Sequence, residues 1–200
     1  RGKVKKFKKY SGGEIDIREY KSTEKMEEFF HFARKVSSKT YQENLLDSGF
    51  PDSSDFLDSM RDAAREDNVR GYLLFYDNKP ISYLYLSGQE DMLIYNYLGY
   101  DPEFMKWSVG TVLHWKVMEL LFNENKFNFL DFTEGGGQHK RTFGNVSIIC
   151  INTFYLNKTL SNFVYVFLQI WVNKVSSMIG VFLERLGVKA RIKRILRFSR

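Results

Sequence analysis

Asp131, His139 and Lys140 lie close together in the segment Leu130-Asp131-Phe132-Thr133-Glu134-Gly135-Gly136-Gly137-Gln138-His139-Lys140. They offer one carboxylate, one imidazole and one ammonium group. An imidazole with an ordinary pKa of about 6.5 can take or give a proton near neutrality. A lysine is protonated there and suits an anion clamp, so Lys140, with Glu134 nearby, is a candidate substrate-binding residue. Asp131 and His139 are the candidate acid–base groups. Three successive glycines pack nothing and cost backbone entropy, so the run marks a turn or a close backbone approach. The competing structural account is a polar loop in which Asp131 caps the next turn.

A second candidate is Lys106-Trp107-Ser108-Val109-Gly110-Thr111. Here a loop meets the start of an apolar periodic segment. With Ser108 as cap, the N–H groups of Gly110 and Thr111 stand at a positive helix end, and Lys106 adds a full charge. That chemistry suits a pyrophosphate, although a plain capped helix would look the same. A third candidate is the tyrosine pattern of Tyr83, Tyr85, Tyr95, Tyr97 and Tyr100. Period-two tyrosines are ordinary half-buried sheet residues, yet one of them, Tyr97 in this reading, could protonate a leaving thiolate.

The elements that must position these groups follow from periodicity. Residues 14–20 alternate as a strand. Ser22 opens a helix with Met26, Phe29, Phe30 and Ala33 on one face, and a short helical piece is expected at 41–46. Ser53 or Ser54 caps a helix with the stripe Phe56, Leu57, Met60, Ala63 and Ala64. Strands are predicted at 71–76, 81–87 and 92–98, joined by turns at 77–80 and 88–91. After the Pro102 loop come a helix from Val109 to about Asn125, a strand at 127–132, a helical turn at 138–143 and a strand at 146–156. A long apolar helix over about 159–186 closes the chain, expected to pack on the domain or to lie on a membrane surface. An antiparallel meander followed by a crossover helix gives an α/β fold with a mixed sheet, in which strands 92–98 and 127–132 run parallel as neighbours.

Composition narrows the classes. Two hundred residues, 44% hydrophobic, suit one globular domain. The domain expectation is a basic arm at 1–13, a catalytic domain at 14–158, and the apolar helix with its tail at 159–200. The single cysteine, Cys150, excludes a disulfide framework and reads as a buried thiol in an apolar run. His31, His114 and His139 lie far apart and no Cys/His cluster has zinc spacing, so no metal is expected. The net charge of +6 is concentrated at the ends. Residues 1–9 hold six bases and residues 185–200 seven, neither with an acid, while the stretch between has 17 basic and 24 acidic residues. This pattern argues against a nucleic-acid-binding face and for arms that are solvated or meet an anionic membrane surface. The start Arg1-Gly2-Lys3 has no Met and no apolar run after it, which fits a piece of a longer cytoplasmic protein without a signal peptide.

Three segments resemble one family. They are Tyr97-Leu98-Gly99-Tyr100-Asp101-Pro102-Glu103-Phe104, then Trp107-Ser108-Val109-Gly110-Thr111-Val112-Leu113, then Leu130-Asp131-Phe132-Thr133-Glu134-Gly135 with Lys140. In order and spacing they are similar to the GNAT-fold acyltransferases of the BioF2-like, CelD-like group, related to the Fem aminoacyltransferases. The likeness covers roughly residues 65–156, with looser agreement at Thr40-Tyr41-Gln42 and at Lys193-Arg194 with Arg197. It implies direct transfer of an acyl group, acetyl foremost, from coenzyme A to an amine on a small molecule, sugar or peptide. It also implies a pyrophosphate loop at Lys106, Ser108, Val109, Gly110 and Thr111, and a pantetheine arm between strands 92–98 and 127–132. Backbone N–H groups near Asn96 and Leu98 would stabilise the oxyanion. The phosphate loop is shorter in glycine than the family's usual pattern, and His139-Lys140 stands where relatives often carry Tyr-Lys. Two alternatives remain open at this stage. One is a Fem-like transferase using aminoacyl-tRNA. The other is a non-catalytic half-domain serving a missing N-terminal GNAT half or a membrane-proximal scaffold.

Overall fold

The computed structural model describes residues 2–40, 43, 49–151 and 153–185. They divide into two compact units, residues 1–147 and 148–200. In the first, β1 (Asp16–Tyr20), β2 (Val69–Tyr76), β3 (Lys79–Gln89), β4 (Met92–Tyr100) and β5 (Phe129–Asp131) form one sheet in sequence order. All neighbours are antiparallel except β4 and β5, which are parallel. The mixed α/β architecture expected from the sequence is therefore present. The hairpin turn after β2 uses Asp77 and Asn78 in left-handed conformations, which short polar side chains tolerate.

The sheet is covered on both faces, and the period of two sorts its side chains between them. On one face, α2 (Thr23–Ser37) and α3 (Ser54–Arg65) bury Met26, Phe29, Ala33 and Met60 against Val69, Leu73, Tyr83 and Tyr85. On the other, α4 (Val109–Glu124) buries Val109, Val112, Leu113 and Val117 against Tyr72, Leu84, Leu86, Leu93 and Tyr95. The same face carries α1 (Gly2–Tyr10), whose Phe7 is fully buried. The basic N-terminal segment, expected as an arm, is thus a helix seated by one aromatic side chain.

Two buried ions tie the frame together. Arg70, at the start of β2, is inaccessible and bonds Glu124 at the end of α4 (Nε–Oε1 3.1 Å) and Asp67 (2.7 Å). Asp101 follows β4, is likewise buried, and caps the 3-10 turn Pro102–Trp107 by accepting from the Glu103 N–H at 3.1 Å. Lys39 Nζ donates to it at 2.7 Å.

Three expectations are corrected. Residues 146–156 form no strand among the described residues, and Ile148, Ile149 and Phe154 are exposed. Their alternation reads as a strand, but a strand needs an edge to pair with, and no pairing to this segment exists among the described residues. Cys150, in that segment, is exposed rather than buried. The expected strand 127–132 shortens to three residues. The helical piece at 41–46 lies, apart from Glu43, outside the described residues. In the second unit, α6 (Leu160–Arg185) is a continuous helix, and its large apolar side chains are exposed.

Asp101 gives a stability prediction. Burial opposes its charge, but Lys39 and the Glu103 N–H outweigh it and hold the carboxyl below its ordinary range. A lowered folded pKa means the contribution is complete above about pH 4, the unfolded value, and fades as pH falls through the folded one. Asp101→Asn is expected to lose about 2 kcal/mol at neutral pH, the scale of a charge-assisted bond. The gap to wild type should close at acid pH, as followed by denaturant titration across the pH range.

Candidate active site

The site begins where the parallel pairing ends. β4 and β5 share the pairs Met92–Phe129, Leu93–Leu130 and Ile94–Asp131, after which β5 stops. Just beyond, the β3–β4 register slips: Tyr85 faces Tyr97 and Leu86 faces Tyr95, leaving Asn96 as the bulged residue. Its side chain accepts from the Ser87 N–H at 2.8 Å, which fixes the bulge from within the sheet. The outer backbone edge of β4 from Tyr95 to Leu98 therefore has no strand beside it among the described residues.

Beside this opening is a cluster of rings. Tyr95 lies 5.1 Å from His114 and 5.8 Å from His139, and Phe132 lies 5.4 Å from both Tyr95 and His114. Phe143 stacks on His114 at 4.0 Å. His139 and Phe143 both come from α5 (Gln138–Phe143), the helical turn after the glycines. Gly137 makes the approach of His139 feasible, because a Cβ there would stand 2.8 Å from the imidazole Cε1. Gly135 takes a left-handed φ of 87°, which turns the chain.

The cluster sets protonation states. His114 is buried, its Nε2 has no hydrogen-bond partner among the described residues, and burial lowers its pKa to about 4, with the nearby His139 acting in the same direction. It is neutral at physiological pH. Partial burial, aided by the Lys140 charge, also lowers His139 below its ordinary value. Burial pushes the Tyr95 hydroxyl well above the usual range, so it stays protonated.

The sequence-based candidates separate here. His139 joins the cluster. Tyr97 does not: it packs on the opposite face of the sheet with Phe50, Phe56 and Tyr85. Two steps along a regular strand would keep one face, but the bulge at Asn96 adds the step that reverses it, so Tyr95 is the tyrosine beside His139, and the pattern alone could not choose between them. The exposed Asp131 carboxylate accepts from the Thr133 N–H at 2.7 Å, the turn-capping bond of the competing account. Lys140 Nζ donates to the carbonyls of Thr133 and Glu134, so it braces the loop that carries Glu134. His114 was passed over in the sequence, where a lone histidine in an apolar helix gives no signal.

The strand-to-helix junction is built differently from the sequence expectation. Ser108 does occupy the N-cap position of α4, but in a left-handed conformation without a side-chain cap bond. The Thr111 N–H donates back to the Ser108 carbonyl at 2.9 Å. Gly110 is needed by the protein itself, since a Cβ there would stand 3.2 Å from Leu98 Cδ2 and 3.3 Å from Tyr100 Cδ1. Helix α1 lies over this junction. Tyr10 stacks on Trp107 at 4.1 Å, Lys6 Nζ donates to the Lys106 carbonyl at 3.0 Å, and Lys3 Nζ approaches Thr111 Oγ1 at 3.4 Å. Lys3 and Lys6 thus join Lys106 at the positive end of α4, a grouping invisible in a run of basic residues.

A mixed sheet that opens between two parallel strands, with a bulge at the opening and a cationic helix start beyond it, belongs to an acyl-transfer class of enzyme. Residues 1–141 match the family model described as acetyltransferase (GNAT) domain, so the chain belongs to the GNAT family of N-acetyltransferases. No curated protein matches this sequence. Among solved structures, it is similar to an aminoglycoside acetyltransferase, HMB0005, from an uncultured soil metagenomic sample. The identity is 8%, the match covers 72% of this chain and 99% of that one, and the TM-score is 0.51. It is also similar to AAC(6')-Iy in complex with the bisubstrate analogue CoA-S-monomethyl-acetylneamine, at 14% identity, 73% and 99% coverage and a TM-score of 0.50. At such identities the likeness is one of fold.

The turn bond of Asp131 can be separated from acid–base chemistry. Asp131→Ala, which removes the acceptor, should lower the melting temperature by a few degrees, about 1 kcal/mol for one turn bond. Turnover of the folded variant should stay within about threefold of wild type, whereas loss of a true general base costs about 10²-fold or more. Both quantities measured on one purified sample decide the matter.

Proposed function

We propose that this domain transfers an acetyl group from acetyl-coenzyme A to the amine of a small-molecule, sugar or peptide acceptor, with His139 as the proton acceptor. The observation that carries this reading is the opening between β4 and β5, flanked by the ring cluster on one side and the cationic start of α4 on the other. The residues fit coenzyme A by donor chemistry. Lys3, Lys6 and Lys106 with the first N–H groups of α4 suit a diphosphate. The unpaired edge of β4 suits the amides of pantetheine. The analogue on AAC(6')-Iy joins CoA to an acetylneamine, which supports an amine acceptor.

The thioester supplies an activated acyl group; the chain supplies position and proton traffic. Backbone N–H groups at the Asn96 bulge would hold negative charge as it develops on the carbonyl oxygen. His139, neutral at pH 7 because its pKa is lowered, accepts the proton that the attacking amine must lose. Tyr95, protonated and beside His139, is placed to return a proton to the departing sulfur. His114 keeps a second positive charge out of the cluster by remaining neutral. Within the family, the order of Tyr97–Phe104, Trp107–Leu113 and Leu130–Gly135 favours the BioF2-like group.

Two experiments test this. Calorimetry with acetyl-coenzyme A should show at least about tenfold weaker binding for Lys6→Glu/Lys106→Glu, since each reversal turns attraction into repulsion near a diphosphate. Unchanged affinity would remove the junction from the site. Replacing His139 by Gln should cut turnover by about 10²-fold and abolish an acid limb in kcat/KM that wild type shows below the ordinary histidine range. A limb that persists in the variant would assign the base elsewhere.

A further inference from the structure

The helix α6 carries a pattern that catalysis does not use. Asn162, Gln169, Asn173, Ser176 and Gly180 recur at helical spacing along one side. Leu160, Val164, Phe167, Trp171, Met178 and Phe182 recur along the opposite side, and all six are exposed. The stretch Leu160–Phe182 is long and apolar enough to cross a membrane by length and composition, and none of it is buried. Its 23 residues extend about 34 Å at the usual rise per residue, against a hydrocarbon core of about 30 Å. Lys174 is the single charged side chain within it, and seven bases without an acid occupy residues 185–200.

We infer that α6 docks this enzyme on an anionic lipid surface, lying in the plane of the interface on the cytosolic side. Length alone would allow it to span. Two constraints decide otherwise, the second resting on the coenzyme A reading above. Basic segments stay on the cytosolic side, so the residues after α6 remain there. The catalytic unit precedes α6 and needs acyl-coenzyme A, a polyanion of the cytosol that does not cross a bilayer. A single crossing would put the catalytic unit and the basic segment on opposite sides. A helix lying in the interface keeps both in the cytosol. The narrow polar stripe then faces headgroups, the apolar stripe faces acyl chains, and Lys174 on the flank reaches headgroups along its flexible stem. The basic residues that follow meet anionic lipid, at about 1 kcal/mol for each cation near the surface.

The test uses the full chain with vesicles of phosphatidylglycerol and phosphatidylcholine, and of phosphatidylcholine alone. Co-sedimentation is expected with the anionic vesicles, weaker by at least about tenfold without phosphatidylglycerol and reduced by added salt. Alkaline carbonate should release the protein. Phe167→Glu/Trp171→Glu should abolish sedimentation, while Ser176→Gln on the polar stripe should retain it. Failure to sediment would overturn the inference, as would retention through carbonate, the mark of a spanning helix. A lipid-free dimer that the double substitution disperses, with vesicle binding unchanged, would assign the apolar stripe to a second copy instead. Coenzyme A affinity measured on the same preparations keeps the two readings apart, because lipid binding can fail while the catalytic unit still binds its thioester.

Discussion

The parallel pairing of β4 with β5 lasts three residues and then stops, and the rest of the site is arranged around that termination. A longer β5 would satisfy the β4 edge with its own backbone and close the space. The termination is reinforced from both strands. On β4, Asn96 is bulged and its side chain is bonded to the Ser87 N–H. On β5, Asp131 bonds the Thr133 N–H and turns the chain away, with Thr133 itself in a left-handed conformation. Lys140 then ties the turn carbonyls to α5. The opening is therefore held by a bulge, a turn and a brace, each with its own polar bond.

What was legible in the sequence followed from periodicity. The change from helical spacing to alternation, then the crossover helix, gave the three-strand meander and the one parallel pair, though not the place of β1 beside β2, because hydrophobic period and chain connectivity leave few other arrangements for those strands. What was not legible depended on groups meeting across the chain. The face assignment of Tyr95 against Tyr97 hinges on the bulge at Asn96, which no alternation pattern displays. The run of lysines at the start read as an arm, solvated or meeting an anionic surface, because charge dominates its composition. A single Phe7, fully buried, is enough to seat the helix. Nothing in the spacing assigns Asp101 a partner, yet its carboxylate joins Lys39, just past α2, to the turn that follows β4 and leads into α4.

Residues 146–156 illustrate the opposite failure. Their alternation satisfies every local criterion for a strand, and yet none forms among the described residues. Local preference selects an extended conformation, but the ladder bonds that stabilise it must come from a neighbouring edge. The same reasoning corrects Cys150. Its apolar neighbours implied burial, and burial is a property of the packing partner as much as of the segment.

The electrostatic layout gives the separate pieces a common sense. The stretch between the two basic ends is acidic in balance, so a polyanionic ligand would meet net repulsion over much of the surface. Local concentration of cations is then required wherever an anion binds. Helix α1 carries Lys3 and Lys6 to the same helix start that Lys106 already flanks. The ring cluster follows the reverse logic. Burial lowers both His114 and His139 and so keeps positive charge from gathering there. His114 lies deeper and is lowered to about 4, while His139, less buried, is lowered in the same direction. Burial is the larger cause for both histidines, aided at His114 by His139 and at His139 by Lys140.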